Sequence, residues 1–410
     1  MNPSAANAPP GDKSRRGRFS ALNHTNYRYY FFSQLLSLTG SWSQTTAMMW
    51  LSYQEGQQSI WPALIAAMQV LPGFFLGPWG GSLADRFPRR PLILVTQSLF
   101  LVQSMILFWG ASAGFASPGF LIALAAVWGI INAIDLPARL SFLVELVGKE
   151  DLFNAVALNS LQFNLARLAG PAIGALLLHH WGPEACFLFN AATFPFFLLA
   201  LLAMKLDPPV IPPAGVSANS WKDGWRFLFS RPDLVRVLWV AGFMALLGWP
   251  LLSLFPAYVE KSFTLGKEAY GTLLSCVGGG ALLAALSLAW LGNKAPRARA
   301  QALGMLLAGF SLIWLSLCGS FSQAIPGALF FGAGMIFFFA TSQGMMQLGA
   351  ADAHRGFVLG IWSMLLCGAV PLGNFLAGPL ADRVPMRWVL AGQGVGIWLV
   401  LLVFVALKRR

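Results

Sequence analysis

The sequence predicts an all-α membrane protein: twelve transmembrane helices in two six-helix bundles with pseudo-two-fold symmetry. Three observations carry that prediction. Of 410 residues, 57% are hydrophobic and only 10% are charged, where a soluble domain carries about 25% charged residues. Apolar stretches of about 20 residues recur along the whole chain, each long enough to cross a hydrocarbon layer of roughly 30 Å. The punctuation also repeats: Pro171 and Gly174, each in an apolar span with a polar exit, are answered by Pro371 and Gly373.

The spans fall at roughly 30–53, 60–82, 91–113, 119–140, 154–178 and 185–204, then at roughly 234–258, 269–291, 300–320, 326–348, 357–379 and 388–407. This divides the chain into a polar tail over 1–29, a first bundle over 30–204, a linker over 205–233 and a second bundle with a short basic tail over 234–410. An even number of spans per half makes the repeat parallel, about an axis along the membrane normal. That is the arrangement of two-fold transporter bundles, with a solute site between the halves near the midplane. The linker opens on Asp207-Pro208-Pro209 and Pro212-Pro213, an extended stretch. Trp221, Trp225, Phe227, Leu228 and Phe229 then alternate with Lys222, Asp223 and Arg226, the pattern of an amphipathic helix at the membrane interface.

A net charge of +12 raises the question of nucleic acid, but the basic residues sit in short connectors between apolar runs, where they orient the chain in a bilayer. With both termini inside, the cytoplasmic side collects the tail arginines, Arg86, Arg89, Arg90, Arg139, Lys149, the linker cations, Arg297 and Arg299. Lys261, Lys267, Arg383 and Arg387 fall outside, and Arg167 within a span. The first 29 residues hold no apolar core of a cleavable leader and read as a cytoplasmic tail. Cys186, Cys276, Cys318 and Cys367 are scattered through apolar spans without metal spacing, and His24, His179, His180 and His354 form no constellation. No cofactor or metal is expected. A membrane enzyme would need clustered acids, His or a nucleophile at one interface, and no such cluster is present.

The connector after the second span reads Gly81-Ser82-Leu83-Ala84-Asp85-Arg86-Phe87-Pro88-Arg89-Arg90. It resembles the loop signature of the major facilitator superfamily, with Pro88 in place of the usual second glycine. Physically, Asp85 ends a helix, where a negative charge is unfavourable unless paired. The resemblance implies that Gly81, Asp85, Arg86, Arg89 and Arg90 latch the outward-facing state and release as the protein opens inward. A near copy, Gly378-Pro379-Leu380-Ala381-Asp382-Arg383, follows the eleventh span on the opposite side and reads as a helix-ending turn.

Residues 132–146, with Pro137-Ala138-Arg139 after the fourth span, and residues 154–174, with Arg167-x-x-Gly170-Pro171 in the fifth, resemble the enterobactin-exporter and macrolide-efflux branch of that superfamily. The resemblance runs over roughly 20–407. It implies a secondary active exporter of a siderophore or drug-like amphipathic solute, working by alternating access and driven by protons. A neighbouring branch of lysophospholipid flippases has a similar proline-alanine-basic motif and supplies the alternative. The expected partners are a small-molecule substrate, the coupling proton and the lipid bilayer of the inner membrane; a monomer is expected, and nucleic acid is not. Gly170, Pro171 and Gly174 also resemble an antiporter motif, with Ala175 where a second glycine is usual. Such a stretch is either a seal against ion leak or ordinary close packing.

Ionisable residues at membrane depth are costly and default to functional hypotheses. Arg167 lies near the middle of the fifth span, on a face shared with Ser160, Asn164 and Pro171. It is expected to pair with Asp135, to bind an anionic group of the substrate, or simply to tie two spans together. Asp135 and Arg139 lie four residues apart on one face of the fourth span. Glu55 and Asp135 are the acids placed to carry a proton. Gln34, Ser37, Ser41, Gln44 and Thr45 line one side of the first span; Asn132 and, in the tenth span, Thr341, Ser342, Gln343 and Gln347 add amides and hydroxyls, with methionines nearby. A cavity of that composition suits a bulky amphipathic solute.

Overall fold

The computed structural model describes residues 20–206, 220–291, 297–350 and 354–408. Most of the N-terminal tail and the proline-rich part of the linker lie outside the described residues. Within the bilayer no water satisfies backbone groups, so the chain saturates them internally as helices. Thirteen helices are described: α1 (Thr25–Gly56), α2 (Ile60–Arg86), α3 (Arg89–Ser112), α4 (Pro118–Gly148), α5 (Glu150–Trp181), α6 (Pro183–Ala203), α7 (Ser220–Phe229), α8 (Pro232–Phe263), α9 (Lys267–Leu291), α10 (Arg297–Leu317), α11 (Phe321–Gly349), α12 (Arg355–Arg383) and α13 (Met386–Lys408). All but α1 and α7 are long and apolar enough to cross a membrane. Helix α1 is the twelfth span: 32 residues long, it dilutes its apolar content with Gln34, Ser37, Thr39, Ser43, Gln44 and Thr46, all buried inside the protein rather than turned to lipid.

Two helix boundaries differ from the sequence reading. A connector of a dozen residues is expected between the fourth and fifth spans, yet the helix runs on through it. It breaks only at Gly148, whose φ of 70° turns the chain in a single residue. Helix α8 has a break of its own, because Trp249 is followed by Pro250, which lacks the N–H that would continue the ladder. Elsewhere starts follow local chemistry: the Ser117 hydroxyl accepts from the Phe120 N–H, with Pro118 in the first helical position.

Contacts among connectors define two ends of the bundle. Ser20 and His24 reach Asp151, Asn26 reaches the Lys205 carbonyl and Arg231 reaches the Gly349 carbonyl; this is the terminal end, where the described residues begin and end. Ser59, Lys261 and Asp382 meet at the opposite, distal end. Helix α7 leans on the start of α12, with Trp225 against Phe357 and Phe227 stacked on His354.

Glycines carry the two-fold relation into packing. A Cβ on Gly80 of α2 would strike the Ala133 carbonyl of α4, and one on Gly280 of α9 would strike the Leu329 carbonyl of α11. Gly129 meets the Met68 carbonyl as Gly332 meets that of Val277. Gly170 and Gly174 seat α5 on Trp42 and Ser43 of α1, and Gly373 seats α12 on Leu246 of α8. Lipid gives helices no hydrophobic reason to associate, so close backbone approach of this kind supplies much of the attraction.

Candidate functional site

Two seams join the halves, α2 against α12 and α5 against α9. Both are shut at the distal end. The Asp382 carboxylate accepts from the Ser59 N–H at 2.7 Å and the Ile60 N–H at 3.2 Å, at the N-terminus of α2. Lys261 donates to the same carboxylate at 3.1 Å and to the Ser59 hydroxyl at 3.3 Å. A helix N-terminus favours a negative charge, and this one receives it from the other half. On the second seam His179 Nδ1 lies 2.6 Å from Glu268 Oε1, and Lys267 donates to the Leu178 carbonyl. Between the seams Trp50 of α1 stacks on Tyr270 of α9.

The first seam parts towards the terminal end. Along one face of α2, Gly73 still meets Cys367 of α12 and Phe74 meets Gly368, but a turn further on Gly77, and then Gly81, face open space. On α12 Met364 is exposed and Gly360 meets nothing. On the other seam close packing runs from Gly271 against Ala175 to Gly278 against Leu168 and the Arg167 carbonyl. The α2–α12 seam is therefore closed distally and open at the terminal end.

Arg167 stands at that Gly278 contact of the second seam. It is 4% exposed, and its guanidinium lies 5.8 Å from the centre of the Trp42 ring on α1 and 5.0 Å from that of Trp249 at the break in α8. Nη2 is buried with no hydrogen-bond partner. The pairing with Asp135 is not formed, because Asp135 is taken: Arg139 Nε lies 2.5 Å from Oδ2, while Thr96 and Gln97 of α3 donate to Oδ1 at 2.6 and 2.9 Å. Asp135 is completely buried and ties α3 to α4.

The remaining candidates separate by location. Gln44 lies inside the first bundle, donating to Gln103 and accepting from Ser104 and Asn190, so α1, α3 and α6 share one polar cluster. Gln34 is buried with its Oε1 unpaired. Gln343 is exposed on α11, one turn past Phe339, and Glu55 is exposed at the distal end. Gly170, Pro171 and Gly174 are buried in the α1–α5 contact. Arg89 donates to Glu145 at 2.7 Å and Arg90 to the Leu202 carbonyl at 2.8 Å, both within the first half; Arg86 is exposed at the end of α2. The side chains of Asp85 and Asn164 lie outside the described ones. Sequence reasoning missed Asp382, read as a helix end only. Its signal was the near copy of the 81–86 motif in which it sits.

A twelve-span protein of two related bundles, closed at one end and parted at the other, is a secondary transporter of the major facilitator type. Within that class the chain belongs to the transmembrane secretion effector family, whose model matches residues 16–410. It is similar to the staphyloferrin A transporter of Staphylococcus aureus, with 23% identity over 93% of this chain and 96% of that one. It is also similar to the multidrug efflux pump Tap of Mycobacterium tuberculosis, with 28% identity over 87% of each. The enterobactin exporter EntS of Escherichia coli shares 26% identity over 94% and 93%. Among solved structures, the nucleoside transporter NupG superposes with a TM-score of 0.73 at 11% identity, over 94% of this chain and 100% of that one. A bacterial homologue of the lysosomal transporter Spinster superposes with 0.67 at 14%, over 93% and 95%. The chain is a multi-pass membrane transporter and not an enzyme.

Proposed function

We propose that this protein is an exporter in the cytoplasmic membrane that moves a siderophore or drug-like amphipathic solute outward by alternating access, with protons as the driving ion. The observation that carries the reading is the α2–α12 seam between the halves, shut at the distal end and open at the terminal end. The clustering of Arg89, Arg90, Arg139, Arg231 and Arg236 at the terminal end supports a cytoplasmic placement of both termini. The conformation described is then inward-facing, ready to load from the cytoplasm. The names of the relatives, two siderophore carriers and a multidrug pump, support the solute class.

A flippase would need a lateral opening between spans. A groove of about 620 Å³ does lie between α5 and α9, lined by Ala172, Ala175, Gly271 and Gly279 with His179 and Glu268 at its mouth. Gly271 and Gly278 of α9 pack directly on Ala175 and Leu168 of α5, so the two helices are not parted there, which favours the exporter.

Purified protein in proteoliposomes, offered siderophores and amphipathic drugs with and without a pH gradient, is expected to move at least one class against its gradient only when the pH gradient is present. Equal movement in empty and loaded vesicles overturns the reading. Asp135 is the buried acid through which coupling is proposed to run, so Asp135→Asn should abolish pH-driven transport while leaving passive exchange. Unchanged pH-driven transport would remove Asp135 from the coupling path.

A further inference from the structure

From the surroundings of Arg167 we infer that the exporter selects solutes carrying an oxyanion on or beside an aromatic ring, and that Arg167 is the group that binds the anion. The inference rests on the exporter reading and adds the charge of the cargo.

A guanidinium at membrane depth ordinarily finds a carboxylate. Among the described residues Arg167 has none: the fully buried acid, Asp135, is bound to Arg139. What holds the cation is a pair of indoles, one from each half. Cation–π contact compensates part of the lost hydration, but it gives the guanidinium N–H groups no hydrogen-bond acceptor. Among the described residues Nη2 is buried and unpartnered. A planar fork with an unpartnered donor matches a carboxylate, a catecholate or a phosphate, which it engages through two parallel hydrogen bonds.

The position fits a cargo site. Arg167 sits at the midpoint of α5, its carbonyl against Gly278 of α9 on the seam between the halves. Aromatic rings continue from it on both sides. Phe163 packs at 5.9 Å from Trp42, and Phe339 at 5.9 Å from Trp249, with Trp362 behind it at 6.3 Å. One unpaired cation within a ring of aromatics from both halves recognises an amphipathic aromatic anion. A neutral or cationic amphiphile would leave the guanidinium edge unsatisfied, a penalty that does not fall on the anion. The two indoles come from different halves, so bound anion would be felt by both as they move.

The test uses a matched pair of probes, 1-naphthoate and its neutral isostere 1-naphthamide, titrated calorimetrically into the full chain in nanodiscs without any gradient. The protein should bind naphthoate about tenfold or more tightly than the amide. Arg167→Gln should erase the preference, and Arg167→Lys should keep part of it. Equal affinities in the unaltered protein, no binding of naphthoate, or a preference that survives Arg167→Gln would overturn the inference. The unaltered protein alone decides the first two, so they stand even where Arg167→Gln fails to fold. The two readings fail separately. Preference for naphthoate without vectorial transport in proteoliposomes sinks the exporter, whereas pumping of neutral solutes with no preference sinks the anion site.

Discussion

Helices α2 and α12 end on nearly the same six residues, Gly81-Ser82-Leu83-Ala84-Asp85-Arg86 and Gly378-Pro379-Leu380-Ala381-Asp382-Arg383, and they face each other across one seam with opposite ends of the molecule between them. At the distal end the motif is engaged. Gly378 lets α12 lie on Ser59, Ile60 and Ala63, and Asp382 reaches the first N–H groups of α2. At the terminal end Gly81 faces open space, and Arg89 and Arg90 turn back to Glu145 and Leu202 in their own half. The difference teaches that a carboxylate at a helix C-terminus, unfavourable where it stands, is made useful by the N-terminus of the partner helix. We propose that the two carboxylates clamp two states, 81–90 the outward-facing one, as the resemblance to the major facilitator loop implies, and 378–383 the inward-facing one.

The largest effect is expected from filling the contact. Gly378→Leu places a side chain where a Cβ alone already comes within 2.9 Å of the Ala63 side chain, so the distal end should fail to close. Transport should fall to background, and spin labels at Gln58 and Leu265 should report a longer distance. A normal transport rate would show that distal closure is dispensable. Removing the charge is gentler. Asp382→Asn weakens two charge-assisted hydrogen bonds and the Lys261 pairing, each worth roughly 1.5–3 kcal/mol when sheltered and less here, where the group is partly exposed. The same labels should show about a tenfold shift of population towards the distally open form, and an unshifted distribution would reduce Asp382 to a helix end after all. The smallest effect belongs to the motif at the terminal end. Arg89→Ala loses a partly exposed ion pair to Glu145, worth about 1 kcal/mol or less, and should leave the label distances of the inward-facing form unchanged while slowing turnover. Slowed turnover without a distance change separates a clamp for the absent state from a topogenic charge.

Much of this was legible beforehand because bilayers impose a simple code. Length and apolarity mark the spans, and connector charges mark the ends. Hydropathy alone undervalues α1, since Gln44 and its neighbours are polar yet buried, but its place before α2 restores it. Helical periodicity puts Gln34, Gln44 and Thr45 on one side of α1 without saying whether that side faces a cavity or a sister helix. Only the packed structure shows Gln44 closed among Gln103, Ser104 and Asn190. The i, i+4 spacing of Asp135 and Arg139 puts them on one helix face, yet the sequence also allowed Asp135 to pair with Arg167; only the packed structure shows Asp135 taken by Arg139. The indoles that flank Arg167 come from α1 and α8, far apart in the chain, and no local pattern joins them. Gly148 was invisible as a turn because one residue in a left-handed conformation replaces an entire loop.

The close contact of Gly278 with Leu168, near the middle of the α5–α9 seam, has a mechanical meaning. With Gly80 and Gly280 locking helices backbone to backbone inside each half, the halves have little room to bend, and in the alternating access we propose they would tilt as stiff levers about that contact. Glu268, at the distal end, lies about 15 Å along the helix from Gly278, and Leu291 about 20 Å the other way. A tilt of roughly 15° then swings each tip by about 4–5 Å, beyond the reach of any hydrogen bond. Because that contact sits beside Arg167, the same tilt would move the indoles around it by very little: the ends would open and shut while the proposed anion site keeps its shape.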